Sequence, residues 1–407
     1  MHVAIIGGGI GGLSLALYLH RESIACTVYE AVRSYKPLGV GINLLPHAAR
    51  ELVELGLGTD LQKTGVEPVE FAFYNRHGQL ICSDPAGRHA GYSWPHLSMH
   101  RADLHQALLS AVQERLGHDA VILDHRCAGL DQDDDSVTIH WQTYDGQKLP
   151  STKATIAVAC DGVHSIIRKQ FHPQEGPMAF SGINQWRGTV RTGPIRGLNS
   201  IIRCGSLSFG KFLTYGIRRY SDGTMLHNWN IEVLSDTKTQ NSWNLEGKLE
   251  DFLWRYDNSH FDWLDIPAFL KKADLVLEYP MVDRDPLERW SFGRATLLGD
   301  AAHPMYPRGG NGGAQAILDG KFLAKQLKSL DPIRALQAYE ADRLPKTSRV
   351  VLTNRSQPPD FIIETVEQRT GGARFARIED VMPPEEMRRI LEGYQTIAGY
   401  DLAAVNR

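Results

Sequence analysis

The sequence HVAIIGGGIGGLSLALYLH, at residues 2–20, joins a short apolar run to a glycine-rich turn and then to a segment with leucines at helical spacing. Residues 2–6 predict a buried parallel strand, and residues 13–20 predict a helix. A second strand is predicted at residues 26–30. Since two parallel strands joined by a helix require a right-handed crossover, this opening predicts an α/β fold whose Rossmann-like sheet has helices on both faces.

The glycine-rich turn has the spacing of a dinucleotide-binding motif. Gly7 permits the tight turn, Gly9 lets the backbone approach a pyrophosphate, and Gly12 allows the helix to pack against the strand. Glu30 ends the second strand about 20 residues further on, where a carboxylate can accept hydrogen bonds from ribose hydroxyls. The predicted contacts to an adenine dinucleotide are Gly7, Gly9, Gly11, Gly12 and Glu30. The motif alone does not distinguish NAD from FAD.

Composition and charge exclude several classes of protein. The chain has 407 residues, enough for two or three domains. Its net charge of -3, from 44 Lys and Arg against 47 Asp and Glu, gives no basic surface for nucleic acid. Five scattered cysteines without a CxxC pair favour neither a disulfide framework nor a metal site, and they predict a cytoplasmic location. No apolar run approaches the roughly 20 residues needed to span a membrane.

The amino-acid composition of the chain changes after about residue 175. Up to about residue 280 it is rich in Trp, Tyr, Phe and β-branched residues, which predicts an inserted, mainly antiparallel β-sheet domain that walls a substrate pocket. Regular α/β texture resumes near residue 294. The predicted organisation is a dinucleotide-binding domain in three parts, at 1–68, 97–175 and 281–356, a substrate domain at 176–280 with a contributing hairpin at 69–96, and a C-terminal helical extension at 357–407.

Two further segments favour FAD over NAD. They are ACDGVHSIIR at residues 159–168 and GDAAHPMYPRGGNGG at residues 299–313. Together with the N-terminal glycine motif, and in the same order, they resemble the three signatures of the FAD-dependent aromatic hydroxylases, the para-hydroxybenzoate hydroxylase family. The resemblance extends from residue 1 to about residue 356. Runs such as PLGVGIN at 37–43 and YPMVDRDPL at 279–287 resemble most closely a branch of this family that hydroxylates phenazine carboxylates.

The resemblance implies roles for several residues near the flavin. Asp300 would accept hydrogen bonds from the ribityl or ribose hydroxyls. Gly312 and Gly313 would place helix N–H groups at the flavin N1–O2 edge. The backbone of Pro307 would face the flavin ring and the substrate, and Arg101 would reach the FAD pyrophosphate.

Other cofactor contacts implied by the resemblance have alternatives that the sequence leaves open. Asp161 and Arg168 match a signature credited with FAD and nicotinamide-nucleotide contacts. Asp161 could instead only cap a turn, and Arg168 could form a surface ion pair. Arg33 is a weaker candidate near the adenosine, and Val40 and Gly41 complete the set.

The resemblance also implies the reaction. No second dinucleotide motif is present, so NADH or NADPH would bind transiently, reduce FAD by hydride transfer and leave. Reduced FAD would react with O₂ to form a C4a-hydroperoxide that hydroxylates an aromatic or heteroaromatic substrate, with phenazine-like and benzoate-like carboxylic acids among the candidates. Exclusion of water would prevent loss of the oxidant as H₂O₂. The implied partners are this substrate and O₂, and the protein would be a monomer or a homodimer.

The aromatic-rich segment supplies most of the candidates for substrate contact. These candidates are Trp186, Arg187, His227, Trp229, Tyr279 and, on the flavin side, Pro307. Either Arg187 or His227 could balance a substrate carboxylate. Trp186 and the nearby Trp229 could equally be ordinary core residues.

Other functions remain open from the sequence. A single GxGxxG is compatible with an NAD-dependent dehydrogenase, and the same flavin scaffold could support N-hydroxylation, epoxidation or a sensor without turnover. The chain contains neither the Gly-x-Ser-x-Gly motif of a nucleophilic hydrolase nor the His-Glu-x-x-His motif of a zinc enzyme.

Overall fold

The computed structural model describes residues 1–36, 40–197, 199–236 and 245–407. Residues 37–39, which begin the PLGVGIN run, lie outside the described residues. The strands are, in chain order, β1 (His2–Ile6), β2 (Ala25–Tyr29), β3 (Gly41–Leu44), β4 (Glu70–Tyr74), β5 (Leu80–Pro85), β6 (Leu97–His100), β7 (Val121–Ile122), β8 (Arg126–Gln132), β9 (Val137–Gln142), β10 (Lys148–Ala154), β11 (Ile156–Ala159), β12 (Ala179–Thr192), β13 (Ser200–Cys204), β14 (Lys211–Arg219), β15 (Met225–Leu234), β16 (Leu245–Glu246), β17 (His260–Phe261), β18 (Leu264–Asp265), β19 (Val276–Asp283), β20 (Ser291–Phe292) and β21 (Ala295–Leu297). The helices are α1 (Ile10–Arg21), α2 (Pro46–Glu54), α3 (Gly58–Thr64), α4 (Arg101–Leu116), α5 (Ile166–Phe171), α6 (Ile266–Leu270), α7 (Gly312–Ser329), α8 (Pro332–Ser356), α9 (Phe361–Thr370), α10 (Pro384–Ala398) and α11 (Leu402–Asn406).

A six-stranded sheet forms around the N-terminal strand. Its order is β20-β21-β11-β1-β2-β7, and all neighbours are parallel except the β20–β21 pair. The apolar face of α1 packs on this sheet and against α7, and its residues from Leu13 to Leu19 are buried. These features confirm the α/β fold with a Rossmann-like sheet.

The cover of this sheet differs in part from the prediction of helices on both faces. The crossover from β7 to β11 contains the three-stranded antiparallel sheet β10-β9-β8. Val137, Ile139 and Trp141 alternate with more exposed residues along β9 and join the same core as β1 and β11. Because that period of two suits a strand, a small sheet takes the place of a helix there.

The second large sheet has eight strands in the order β16-β19-β12-β15-β14-β13-β4-β5. Its neighbours are antiparallel except for the β13–β4 pair, which confirms the inserted, mainly antiparallel layer. The β4–β5 hairpin lies at one edge. At the other end of the sheet, β19 continues to Asp283, past the predicted boundary at residue 280.

The C-terminal residues are helical and return to the body of the molecule. Helix α10 packs against α8 and α9, and α11 packs against α2. None of the described helices is both long enough and apolar enough to cross a membrane.

Candidate active site

The turn between β1 and α1 is shaped to admit a phosphate group. Gly7 has φ +108°, and a Cβ there would overlap the carbonyl oxygen of Cys160, so only glycine fits. A Cβ on Gly12 would overlap the carbonyl oxygen of Gly7, so glycine lets α1 begin close against β1. A Cβ on Gly9 would meet nothing within 4 Å, and no described side chain caps the N-terminus of α1. The turn therefore presents helix N–H groups to open space, as a pyrophosphate requires.

Glu30, the residue predicted to contact ribose hydroxyls, lies beside the glycine turn. Its Oε2 accepts a hydrogen bond from the N–H of Gly8 at 2.7 Å, and its Oε1 accepts one from the N–H of Val32 at 3.0 Å. Each carboxylate oxygen keeps capacity for a ligand hydroxyl. Gly11, in contrast, faces the interior, because a Cβ there would lie 3.0 Å from Leu298.

Two residues that sequence reasoning missed hold the glycine turn from the other side. Nε2 of His105 donates to the carbonyl oxygen of Gly8 at 2.7 Å, and the hydroxyl of Tyr35 lies 3.5 Å from the same oxygen. Burial lowers the pKa of His105, which favours the neutral ring in this role. A signal was present: His105 lies one helical turn after Arg101, on the same face of α4.

The two arginines predicted at the adenosine and pyrophosphate end have different surroundings. Arg101 begins α4 with an exposed side chain, and its N–H donates to the carbonyl of Val40 at 2.9 Å, which brings it beside β3. Arg33 forms ion pairs with Asp124, at 3.4 Å, and with Asp145. The guanidinium of Arg33 is thus directed to acidic side chains, whereas Arg101 adjoins the predicted flavin-binding elements.

The predicted flavin contacts come together at the start of α7. A Cβ on Gly312 would lie 3.9 Å from Oδ1 of Asp300, and Gly313 follows in the same turn. Asp300 and Pro307 are exposed. Asn311 occupies the N-cap position, but its side chain does not cap the helix. The first N–H groups of α7 and a carboxylate acceptor are therefore available at one place, as a flavin and its ribityl chain require.

Arg168 anchors the turn that carries Asp300. Its Nε and Nη2 donate to the carboxylate of Glu175 at 2.8 and 2.6 Å. Its Nη1 donates to the backbone carbonyls of residues 301–302 at 3.0 and 2.8 Å. Nη2 also donates to the backbone carbonyl of Asp285 at 3.3 Å. All five N–H groups thus have acceptors within the protein. Arg168 is buried, so the surface ion pair is wrong, and no N–H remains for direct cofactor contact.

For Asp161 the sequence left open a cofactor contact or a cap of the turn, and its two carboxylate oxygens have different surroundings. Its Oδ2 caps α5 by accepting a hydrogen bond from the N–H of Ile166 at 2.9 Å. Its Oδ1 is buried without a hydrogen-bond partner among the described residues. Burial raises the pKa of this carboxyl group. The cap therefore uses one oxygen and leaves the other for a ligand donor.

Asp319, on α7, holds the turn that carries Asp300 in place. It was not among the residues predicted from the sequence. Its Oδ2 lies 2.7 Å from Nε2 of His303 and 3.2 Å from the N–H of Gly299, and its Oδ1 accepts from Nε of Arg343 at 2.7 Å. Burial opposes ionisation of Asp319, but His303 and Arg343 outweigh it and lower the pKa. The buried network joins α7, α8 and the turn into one support.

The pocket candidates divide between the two faces of the eight-stranded sheet. Trp186 and Arg187 are neighbours on β12, so their side chains lie on opposite faces. Tyr279 pairs with Gln185, which places it on the face of Arg187. The Arg187 guanidinium lies over the Tyr279 ring, with its carbon 4.3 Å from the centroid. We call the face of Arg187 and Tyr279 the inner face and that of Trp186 the outer face.

The outer face holds three aromatic candidates within a core. Trp186 is 7% exposed, and its ring centroid lies 5.3 Å from that of Phe252; Trp229 is buried in the same cluster. Nε2 of His227 donates to the carbonyl of Gly193 at 3.2 Å. Burial lowers the pKa of His227 to about 4, so the ring is neutral at pH 7 and does not balance a carboxylate. The structure thus assigns Trp186 and His227 to the core rather than to the pocket.

The inner face meets the dinucleotide-binding domain through β3. Oδ1 of Asn228 accepts a hydrogen bond from the N–H of Gly41 at 2.9 Å, and a Cβ on Gly41 would lie 2.7 Å from the Tyr215 ring. A Cβ on Gly313 of α7 would lie 3.2 Å from Ile42. The space between the inner face, β3 and the start of α7 is therefore the candidate active site.

The comparisons with known proteins agree with this geometry. A family model described as an FAD binding domain matches residues 1–200 and 223–353. A phenazine 1,6-dicarboxylic acid hydroxylase of Lysobacter antibioticus is 39% identical over 363 residues, which cover 87% of this chain and 89% of that protein. The chain belongs to the family of FAD-dependent aromatic hydroxylases.

Two further similarities extend over nearly the whole hydroxylase. A 3-amino-4-hydroxybenzoate 2-monooxygenase of Streptomyces platensis is 30% identical over 423 residues, covering 99% of this chain and 97% of that protein. The solved structure of Klebsiella pneumoniae HpxO with FAD and uric acid has the same fold, with a TM-score of 0.75 at 22% identity over 98% of this chain and 96% of that one. Family membership confirms FAD as the cofactor, and the NAD-dependent dehydrogenase is therefore wrong.

Two arginines that sequence reasoning missed border the active site of this hydroxylase. Arg203 pairs with Leu213 between β13 and β14, in the row that reaches Arg187, so it lies on the inner face. Nη1 of Arg203 and Nε and Nη2 of Arg308 are buried without hydrogen-bond partners among the described residues. Arg308 does lie 3.9 Å from a carboxylate oxygen of Glu232. Arg308 directly follows Pro307 in the 299–313 segment and could have been predicted from the sequence, whereas Arg203 belongs to no motif.

An internal ion cluster lies beside these arginines. Lys211 contacts Oε2 of Glu232 at 2.6 Å and also pairs with Asp360, which comes from the C-terminal extension. Burial opposes ionisation of Asp360, but Lys211 and then Arg308 outweigh it and hold its pKa well below the usual range. Lys211 thus has two carboxylate partners, whereas Nη1 of Arg203 and Nε and Nη2 of Arg308 have no hydrogen-bond partner among the described residues.

Proposed function

We propose that this hydroxylase oxygenates an aromatic or heteroaromatic carboxylic acid of the phenazine or benzoate type, with NADH or NADPH and O₂ as co-substrates. The observation that carries the proposal is the open N–H groups at buried guanidinium nitrogens of Arg203 and Arg308, two side chains that are themselves half-buried. Buried donors in proteins are nearly always paired, so such groups indicate where a ligand acceptor binds. A carboxylate is the planar acceptor that suits a guanidinium best.

The aromatic part of the substrate would lie among the tyrosines of the inner face. Tyr215 and Tyr279 are 6% and 5% exposed, and Arg187 lies over the Tyr279 ring. Burial raises the pKa of both phenols, so their hydroxyls stay protonated at neutral pH and can donate to a substrate. Aromatic walls with a few polar groups are typical of sites for flat ligands.

The residues of the dinucleotide-binding domain would hold FAD in the way its chemistry requires. The glycine turn and Arg101 would bind the pyrophosphate, Glu30 the adenosine ribose and Asp300 the ribityl chain. When bound, FAD supplies reduction by NADH or NADPH and activation of O₂. The N–H groups at the start of α7 would stabilise negative charge at the N1–O2 edge, and the loop that contains Pro307 would exclude water from the reacting ring.

The names of two relatives agree with this substrate class. The Lysobacter protein is named for phenazine 1,6-dicarboxylic acid and the Streptomyces protein for 3-amino-4-hydroxybenzoate, and both compounds are aromatic carboxylates. The five cysteines of the chain are free thiols, which supports the proposed cytoplasmic location.

A substrate screen tests the reaction. Phenazine, benzoate and pyridine carboxylic acids would each be compared with their carboxamides for stimulated NAD(P)H oxidation. The mass of the product formed with isotope-labelled O₂ would separate ring hydroxylation from N-hydroxylation and epoxidation. We expect acids to be oxygenated and carboxamides to be poor substrates. Equal kcat/KM values for an acid and its carboxamide would contradict the carboxylate site.

Substitution of the two arginines tests the site. Arg203→Met and Arg308→Met should each lower kcat/KM for the acid by about 10- to 150-fold, because a hydrogen bond to a charged group contributes about 1.5–3 kcal/mol. The carboxamide should lose much less. Arg191→Met is the matched control, because Arg191 lies on β12 with an exposed side chain paired with Asp222. FAD content and the melting temperature of each variant would show that the losses are local.

A further inference from the structure

The C-terminal extension contacts the loop between the Asp300 turn and α7, which we call the flavin-side loop and define as residues 306–311. The family model ends at residue 353, so the extension lies outside it. Helix α10 nevertheless packs against α8, and Tyr394 of α10 reaches the flavin-side loop. The extension therefore forms part of the support of the active site.

The hydroxyl of Tyr394 is a junction of three hydrogen-bonding groups. It donates to Oδ1 of Asn354 at 2.7 Å and accepts from Nδ2 of Asn311 at 3.1 Å. It also lies 3.3 Å from the carbonyl oxygen of Arg308. Nδ2 of Asn354 in turn donates to the carbonyl oxygen of Tyr306 at 3.2 Å. The first and last residues of the flavin-side loop are thus tied to one tyrosine.

The packing at this junction leaves little freedom. Gly309 has φ +73°, and a Cβ there would overlap the hydroxyl of Tyr394. Tyr394, Asn354 and Asn311 are all buried, with exposed fractions of 2%, 0% and 1%. Burial raises the pKa of Tyr394, so its hydroxyl remains a donor at neutral pH. Oδ1 of Asn311 has no hydrogen-bond partner among the described residues, but the other hydrogen bonds of this buried network restrict the backbone to one conformation.

We propose that Tyr394, together with Asn354, is a positioning residue that holds the flavin-side loop in the conformation needed for coupled hydroxylation. The inference rests on the proposed placement of the flavin and substrate against Pro307 of this loop. A loop that departs from that conformation would admit water beside the oxidant or displace the substrate, and reducing equivalents would then be lost as H₂O₂.

The test uses the full-length protein with Tyr394→Phe, which keeps the ring and removes the hydroxyl. Tyr92→Phe is the matched control, because Tyr92 is buried in the same cluster and its hydroxyl donates to the Tyr400 carbonyl at 2.6 Å rather than to the flavin-side loop. Amide hydrogen exchange of residues 306–311 would be measured without FAD, and the ratio of hydroxylated product to NAD(P)H consumed would be measured with FAD. Asn354→Ala provides a second variant.

In Tyr394→Phe and in Asn354→Ala, amide exchange of the flavin-side loop should rise about tenfold, since the lost hydrogen bonds are local. The product yield per NAD(P)H should fall by roughly threefold or more, with H₂O₂ rising to match and FAD still retained. Tyr92→Phe should change neither quantity. Unchanged exchange and coupling in Tyr394→Phe, or equal effects in Tyr92→Phe, would overturn the proposal. If no carboxylic acid stimulates NAD(P)H oxidation by the wild type, the proposed function fails, while the exchange measurement still decides the positioning role.

Discussion

On β12, Trp186 packs on the outer face against Phe252, whereas its neighbour Arg187 lies on the inner face over the ring of Tyr279. The outer face is covered by α6 and by the helical turns that carry Phe252 and Tyr256, so its aromatic residues are core. The inner face borders β3 and the start of α7. The same strands therefore provide both an apolar core and a polar site, and strand alternation decides the role of each side chain.

The two faces also differ in how their buried groups are stabilised. On the outer face most of the buried surface is apolar, although Nε1 of Trp229 and the hydroxyl of Tyr256 are buried without hydrogen-bond partners among the described residues. On the inner face, Lys211 has carboxylate partners, but N–H groups of Arg203 remain buried without partners among the described residues. Leaving such donors unpaired costs free energy that a bound carboxylate would recover. The outer face should therefore control stability, and the inner face should control substrate binding.

The largest expected effect comes from the outer face. Trp229→Ala should lower the free energy of unfolding by about 3–5 kcal/mol, because a fully buried tryptophan leaves a cavity behind. Gly188 is pressed against this ring, since a Cβ there would lie 2.8 Å from it, so the neighbouring strand is poorly placed to fill the space. Chemical denaturation of the FAD-saturated protein would measure the loss. The kcat/KM of the folded fraction should stay close to wild type, and a large fall would mean that the outer face reaches the substrate.

Local motifs explain how much of the cofactor site could be predicted. The glycine turn, Glu30 and the start of α7 are each encoded by a few adjacent residues, and the structure brings Asp300 and Gly312 together as expected. The aromatic-rich segment correctly predicted an antiparallel layer. It did not predict which face borders the candidate active site, because Trp186 and Arg187 alternate in either orientation, and only the packing of β3 on Tyr215 distinguishes the inner one.

Residues that act over long sequence distances carried no local signal. Arg203 lies in an ordinary strand pattern, and Tyr394 is 83 residues from Asn311. Asp319 contacts His303, which lies within the 299–313 segment, but nothing in that segment indicates which residue of α7 it meets. Such contacts depend on how elements pack, which neither periodicity nor spacing specifies. Arg168 is the reverse case, because its motif was visible but its burial was not.

A smaller effect is expected from the pH dependence of His227. Burial lowers its pKa to about 4 in the folded protein, whereas an unfolded chain binds this proton near pH 6.5. The unfolded state therefore gains protons first, so stability should fall as the pH drops from about 6.5 to about 4 and then level off, by about 3 kcal/mol for this residue. His227→Gln should make this acid decline shallower in denaturation curves. An unchanged decline would place the titrating group elsewhere, and an altered pH profile of kcat/KM would contradict the assignment of His227 to the core.

The smallest expected effect comes from the inner face. It is tested by comparing two cation–π contacts of the same kind at different places on β12. Arg187→Met removes a cation–π contact of about 0.5–2 kcal/mol that orients the Tyr279 ring, so kcat/KM for the acid should fall by about 2- to 30-fold and the free energy of unfolding by no more than about 2 kcal/mol. Arg191→Met removes a similar contact, with the guanidinium carbon 3.9 Å from the centroid of Tyr220, at an exposed end of the same strand. Since the Arg191 side chain is exposed and paired with Asp222, its loss should leave kcat/KM unchanged. Equal losses of kcat/KM in the two variants would show that such contacts only stabilise the sheet. The inner face would then not be the wall of the substrate site.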